Sequence, residues 1–260
     1  MHVRLIRNPI SGSGGMGAVV DALESAIHQA GGMLDVLHTE TPTDATRLAA
    51  LTPPDTHAVI SAGGDGTLRE VVTGMIGKTV PIVVLPSGTE NVLAKHFGFT
   101  RDVRRVLDTL QHGVVEPYDV GVCGNKKFIL LVGAGFDGDV VQRLHAIRSG
   151  NITHLTWTRP LIEGFLKHRF PEVCVEVDER AVFRGRGMVW VGNIPRYSLG
   201  MRVLERAKTD DGLLDVRIIP CQSRWRLLRT GLGILLRRPI RGEGVQYHPV
   251  SYTHLRAHET

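Results

Sequence analysis

The chain has 260 residues, 42% hydrophobic, 5% aromatic and 22% charged, with a formal net charge of +5. That length can bury one substantial core or two modest ones, and its longest apolar runs, such as Phe128–Val132 and Gly231–Leu236, are too short to cross a bilayer. The positive charge admits an anionic partner, but so few aromatics, none interleaved with a basic run, argue against nucleic acid.

Met1 leads straight into a strand-like segment with no signal-peptide core, and Cys123, Cys174 and Cys221 are odd in number and free of any metal-like spacing. A cytoplasmic location is expected. From Met1 to about Gln111 strands and helices alternate. Val3–Ile6 reads as a strand, followed by a glycine-rich loop from Asn8 to Gly15 and a helix carrying Val19, Leu23, Ala26 and Ile27. A strand at Leu34–Leu37 leads through Thr39-Glu40-Thr41-Pro42 to a helix around Thr43–Ala50. The next strand, Ala58–Ala62, runs into Gly63-Gly64-Asp65-Gly66-Thr67, and Leu68, Val71, Val72 and Met75 mark the helix beyond. Val80–Leu85 then opens on Pro86-Ser87-Gly88-Thr89-Glu90-Asn91 and another helix. This repeat predicts an α/β domain with a mostly parallel sheet, its loops at Asn8, Thr39, Asp65 and Thr89 gathered where such sheets bind ligands.

The Asp65 loop carries the chemistry. Glycines between a strand and a helix let backbone amides close on a phosphate, and the helix N-terminus adds partial positive charge. An aspartate there would repel a phosphate unless it meets a metal ion or takes a proton from the attacking group. Asp65 is therefore a candidate base or metal partner; a helix-capping aspartate would explain Asp65 but not the flanking glycines. Glu70, one turn on, would orient Asp65, hold the acceptor or sit in water. Gly88, Thr89 and Asn91 repeat the pattern, as nucleotide contacts or as a helix cap.

Past about Tyr118 the apolar residues fall at period two. Val173–Val177, Met188–Val191 and Leu214–Ile218 read as strands of an antiparallel, β-rich second domain, with turns at Asp178-Glu179 and Asp210-Asp211-Gly212. Phe128–Val132 reads as a strand ending on Gly133-Ala134-Gly135-Phe136-Asp137-Gly138-Asp139, whose acids could receive a substrate hydroxyl or simply shape a turn. Asp210-Asp211-Gly212 suits a hairpin turn and equally an oxygen site for Mg2+. Two basic amphipathic stretches, Arg143–Phe170 and Ser223–Arg241, would lie on an anionic bilayer or pack on the domain core with their charges in water.

Asn8-Pro…Ser11-Gly12, Gly63–Thr67, Pro86–Thr89 with Asn91, Gly135-Phe136-Asp137 and Asp210–Val216 occur in one order, and together they resemble the diacylglycerol kinase catalytic-domain family over about residues 3 to 220. The family includes bacterial lipid kinases and the sphingosine and ceramide kinases. The resemblance implies an ATP-binding domain over residues 1–117 and a sandwich-like lipid-substrate domain over 118–250, with the active site in the cleft between them. It also implies ATP-dependent, Mg2+-assisted phosphorylation of a lipid hydroxyl. By position, Asn8, Thr39, Gly63, Gly64, Asp65, Gly66, Thr67, Gly88, Thr89 and Asn91 match nucleotide-contacting motifs. Asp65 and Asp139 match catalytic and headgroup positions, and Asp211 with the carbonyls of Lys208 and Leu213 matches a structural Mg2+ site.

The family's Gly-Asn-Asp is Glu90-Asn91-Val92 here, and its late Asp-Gly-Glu, with the strand that returns to the first domain, has no counterpart after Gly212. Residues 251–260 resemble translated adapter sequence, so the natural protein is expected to be longer and this chain to leave a sheet edge unpaired. The expected activity is transfer of the ATP γ-phosphate to a diacylglycerol- or sphingoid-type lipid by a cytoplasmic enzyme held peripherally on the inner membrane surface, with a homodimer compatible. The rivals are an NAD kinase-like enzyme, since that family also carries Gly-Gly-Asp-Gly-Thr, and a non-catalytic nucleotide- or lipid-binding protein.

Overall fold

A computed structural model describes residues 1–12, 15–147, 154–251 and 253–257. Ser13 and Gly14 of the first loop, Arg148 of the first basic stretch, and Tyr252 and 258–260 of the tail lie outside the described residues. The chain divides into two compact units, Met1–Glu116 and Pro117–Thr260.

The N-terminal unit alternates β1 (His2–Arg7), α1 (Met16–Gln29), β2 (Met33–His38), α2 (Asp44–Ala50), β3 (Ala58–Gly63), α3 (Asp65–Met75), β4 (Ile82–Pro86), α4 (Val92–Phe97) and α5 (Val103–His112). Its four strands are parallel, in the order β2-β1-β3-β4. Period-two side chains explain the layering. Val3, Leu5, Ala58, Ile60 and Leu85 pack under Leu23 and Ile27 of α1 and Val106 and Leu110 of α5. Ile6 and Val59 face the opposite way, onto Ala45 and Ala49 of α2 and Val71 and Met75 of α3. The sheet is thus covered on both faces, and its free functional surface is the edge where the strands end. Since β1 is followed in space by β2 on one side and β3 on the other, the chain reverses its winding between β1 and β3. Open α/β sheets bind ligands outside such a point.

The C-terminal unit contains β5 (Gly121–Cys123), β6 (Lys126–Phe128), β7 (Leu131–Ala134), α6 (Phe136–Ile147), α7 (Thr158–Lys167), β8 (Glu172–Val177), β9 (Arg180–Gly192), β10 (Leu214–Pro220), α8 (Arg224–Leu235), β11 (Gln246–Val250) and β12 (Thr253–Ala257). Its main sheet is antiparallel, in the order β11-β10-β9-β8-β12, with β7 also on β9. Asp178 and Glu179, both at positive φ (48° and 64°), close the tight turn from β8 to β9. One sheet face buries Val173, Val175, Val189, Val191, Val216 and Ile218; the other buries Met188, Trp190 and Ile219 beneath Leu227 and Ile234 of α8.

Three expectations change. The single strand at Phe128–Val132 is two: β6 pairs with β5, and β7 joins β9. The intervening carbonyls of Ile129 and Leu130 are taken by the Tyr118 hydroxyl and the Asn193 amide, which ends one ladder before the next starts. Asp210-Asp211-Gly212 is not a two-residue hairpin, because residues 193–213 all lie between β9 and β10. The helix after Gly64 begins at Asp65, three residues before its apolar face does. Residues 253–257 pair antiparallel with β8, from Thr253 opposite Val177 to Ala257 opposite Val173.

Candidate active site

At the carboxyl edge of the parallel sheet, the loops after β1, β3 and β4 are in atomic contact. A Cβ at Gly88 would lie 2.7 Å from the Gly64 Cα, so the β3–α3 and β4–α4 turns meet backbone to backbone and no side chain fits between them. Gly12 (φ 89°) approaches from the β1 loop, and a Cβ there would lie 2.0 Å from the Ser87 carbonyl oxygen. The Ser87 amide donates to the Gly63 carbonyl (2.9 Å), and its hydroxyl donates to the Ser11 hydroxyl (3.1 Å). Across the winding reversal, Asn8 Nδ2 donates to the Thr67 hydroxyl (3.2 Å) while Asn8 Oδ1 accepts from the Ile10 amide (3.1 Å). Thr39 joins the same edge through its amide, which donates to the Arg7 carbonyl (2.9 Å).

Asp65 sits in the first turn of α3 but caps a different helix. The amide of Val92 donates to Oδ2 (3.0 Å) and that of Leu93 to Oδ1 (3.3 Å), so this carboxylate closes the N-terminus of α4. Asn91, at φ 47°, holds the turn before it, accepting from the Gly88 amide through Oδ1 (2.9 Å). Burial pushes the Asp65 carboxyl above its ordinary value despite the two amides. Each carboxylate oxygen still has a second lone pair, so capping does not exhaust what Asp65 can accept. Glu70 lies 3.7 Å from Arg69, the one ion pair it makes among the described residues.

Arg7 escaped the sequence reading. It ends β1, and its guanidinium tips lie 3.9 Å from where a Cβ on Gly17, in the first turn of α1, would stand. Its buried Nε finds no acceptor among the described residues. A cation at a strand end beside a helix start suits an anionic ligand. The available signal was its position directly before Asn8-Pro9.

In the C-terminal unit, α6 starts at the end of β7 and carries both acids in its first turn. Asp139 is ion-paired with Arg143 Nε (2.8 Å) and hydrogen-bonded to Nδ1 of His168 (3.1 Å), whose buried ring packs edge-on to Phe136 and Phe170. Asp137 is different: burial raises its carboxyl, and the Tyr197 hydroxyl donates to Oδ1 (2.9 Å).

In the loop before β10, Asp211 Oδ1 accepts from the Leu213 amide (3.1 Å). Asp119, also missed in the sequence, clamps this loop: its Oδ2 accepts from the Gly212 amide (2.6 Å), and its amide donates to the Thr209 carbonyl (2.7 Å). No group of three or more His, Cys, Asp or Glu side chains suited to a metal occurs among the described residues. The Asp119 and Asp211 carboxylates at this loop offer oxygen donors, the chemistry a hard cation prefers.

Residues 2–123 match the family model of the diacylglycerol kinase catalytic domain, and residues 130–257 match that of the YegS C-terminal NAD kinase beta sandwich-like domain. The chain is 28% identical to a diacylglycerol kinase of Bacillus subtilis (strain 168) over 259 residues, 97% of this chain and 83% of that protein. It is 27% identical to a diacylglycerol kinase of Mycobacterium tuberculosis (strain ATCC 25618 / H37Rv) over 237 residues, 87% and 76% of the two chains. A crystal structure of a diacylglycerol kinase from Bacillus anthracis str. Sterne superposes with a TM-score of 0.75 at 21% identity, covering 99% of this chain and 86% of that one, which shows the shared fold. With one family model on each unit, the chain belongs to the diacylglycerol kinase catalytic-domain family, among whose matched relatives are proteins named diacylglycerol kinase and probable lipid kinase.

Proposed function

We propose that this protein transfers the γ-phosphate of ATP to a hydroxyl of a diacylglycerol- or sphingoid-type lipid. The observation that carries this reading is the junction of three strand-end loops at the winding reversal, with Gly64 and Gly88 in backbone contact and Asn8 bonded to Thr67. Glycine at the contact leaves no side chain between the two turns, beside the first-turn amides of α3, and that is what lets a phosphate chain approach the backbone closely.

In this reading Gly63–Thr67, Gly88, Thr89 and Asn91 orient the phosphates, with Asn8, Thr39 and Arg7 at the rim. Mg2+, when bound, would offset phosphate charge. Asp65 is the candidate to take the acceptor's proton or to bind that ion, and its raised pKa brings it closer to working pH as a base. A second Mg2+ would sit structurally at Asp211 and the carbonyls of Lys208 and Leu213. Asp139, fixed by Arg143 and His168, would receive a hydroxyl of the headgroup. No helix among the described residues is long and apolar enough to cross a membrane, and the proposed enzyme reaches its acceptor from the cytoplasmic face as a peripheral protein.

The test is transfer of labelled γ-phosphate from ATP, with Mg2+, to separate samples of diacylglycerol, ceramide, sphingosine and NAD. Label in one of the lipids supports the proposal and names its substrate. Label only in NAD assigns the fold to a soluble acceptor, and tight ATP binding with no transfer to any of them assigns a binding role.

A further inference from the structure

Helix α8 has two apolar faces, and the fold uses only one. Leu227 and Ile234 are 5% and 7% exposed and belong to the core over the second sheet. Trp225, Leu228, Leu232, Leu235 and Leu236 are 50–74% exposed. At about 100° per residue these five fall within an arc roughly 100° wide on the far side of the helix. A helix packed on a globular core ordinarily puts polar side chains there, and an exposed apolar stripe marks an interaction surface. The neighbouring α7 adds Leu161, Ile162 and Leu166, 51–60% exposed. Arg224 joins the two helices end to start, donating to the carbonyls of Phe165 (3.1 Å) and Leu166 (2.7 Å).

Charge selects the partner. Six arginines stand between positions 224 and 241, and no Asp or Glu occurs from Gln222 to Gly242. The acid of α7, Glu163, is already held by Arg159 (2.8 Å) and Lys167 (3.9 Å). A second copy of this chain docked face to face would set arginines against arginines, whereas acidic headgroups would neutralise them.

We propose that the outer face of α8, with α7 beside it, seats the protein on an anionic bilayer. Trp225 and the leucines enter the boundary between headgroups and acyl chains, and the arginines meet acidic headgroups. This rests on the lipid-kinase reading for its purpose, since it names the surface from which the acceptor is reached.

The experiment is co-sedimentation of the full chain with phosphatidylcholine vesicles, with and without phosphatidylglycerol, alongside Trp emission and sedimentation velocity. The wild type is expected to bind the anionic vesicles, with emission shifting to shorter wavelength. Leu228→Ser with Leu232→Ser should weaken partitioning about tenfold or more. Arg237→Gln with Arg238→Gln should weaken it about fivefold per charge at low salt and far less at high salt. Transfer to a short-chain diacylglycerol dissolved as monomers should be unchanged in both variants. No wild-type binding at low salt, or unchanged binding by the leucine variant, overturns the proposal. So does a wild-type dimer that the leucine variant converts to monomer with vesicle binding intact. Vesicle binding lost in the variants while no protein transfers phosphate sinks the kinase reading and leaves the surface standing; transfer without vesicle binding does the reverse.

Discussion

Gly88→Ala is the sharpest perturbation of the nucleotide floor. The added methyl would lie 2.7 Å from the Gly64 Cα and 3.1 Å from Asn91 Oδ1. The first contact is backbone on backbone, so no rotamer relieves it, and carbon atoms prefer about 3.5–4.0 Å. The β3–α3 and β4–α4 turns must therefore separate by roughly 1 Å, a strain of the overpacking kind that costs about 1–3 kcal/mol. The same displacement moves the amides proposed to hold the phosphates, and misplacement on that scale costs about a hundredfold in turnover. Gly66→Ala is the matched control: it is exposed, within α3, and its added methyl meets nothing within 4 Å. There alanine should leave stability unchanged or raise it by up to about 1 kcal/mol through helix propensity. Urea unfolding gives the stability difference, and ATP titration by calorimetry gives the affinity. Gly88→Ala protein that unfolds with the wild-type midpoint and binds ATP with wild-type affinity would refute the packing argument and the site built on it.

Asn8→Ala removes the donor to Thr67, a residue only 7% exposed, and should cost about 1–2 kcal/mol in urea unfolding and weaken ATP binding in the same titration. Asp137→Asn probes a buried acid. Its folded pKa is raised above the ordinary 3.8, so the native state holds the proton more tightly and wild-type stability falls as pH rises through that window. The variant should match or exceed the wild type in thermal stability near neutral pH and lose that advantage below about pH 4; an advantage growing on acidification would contradict the burial argument. His168→Gln should release Asp139 and raise KM for the lipid more than it lowers kcat, in steady-state assays against lipid concentration.

The α/β unit was legible because its signals are local. Gly63-Gly64 and Gly88 stand at strand ends, and the apolar residues of α1 and α3 recur at helical spacing. What escaped depends on partners distant in the chain. The sequence offers Asp65 as a ligand-binding acid or as a cap on the helix beside it, yet its carboxylate caps a helix that starts 27 residues later, and no local pattern encodes that bond. The resemblance places Asp139 at a headgroup position, but nothing local announces that His168, just past the end of α7, hydrogen-bonds it. Phe128–Val132 reads as one strand because apolar runs do not announce a change of sheet; that change is made by the Tyr118 hydroxyl and the Asn193 amide donating to the intervening carbonyls of Ile129 and Leu130. The outer face of α8 was visible as leucines at helical spacing, but only exposure separates the stripe that packs from the stripe that does not.

The most direct measurement is single-turnover transfer of labelled γ-phosphate to the accepted lipid by wild type and Asp65→Asn, with ATP affinity measured on both. Asparagine keeps the side chain's shape and one capping acceptor for α4 but cannot take a proton or hold a cation strongly. If Asp65 takes the proton or holds the ion, ATP should bind with near-wild-type affinity while transfer slows about 10²–10⁴-fold. Transfer within about threefold of wild type would leave Asp65 a helix cap with no part in phosphate transfer.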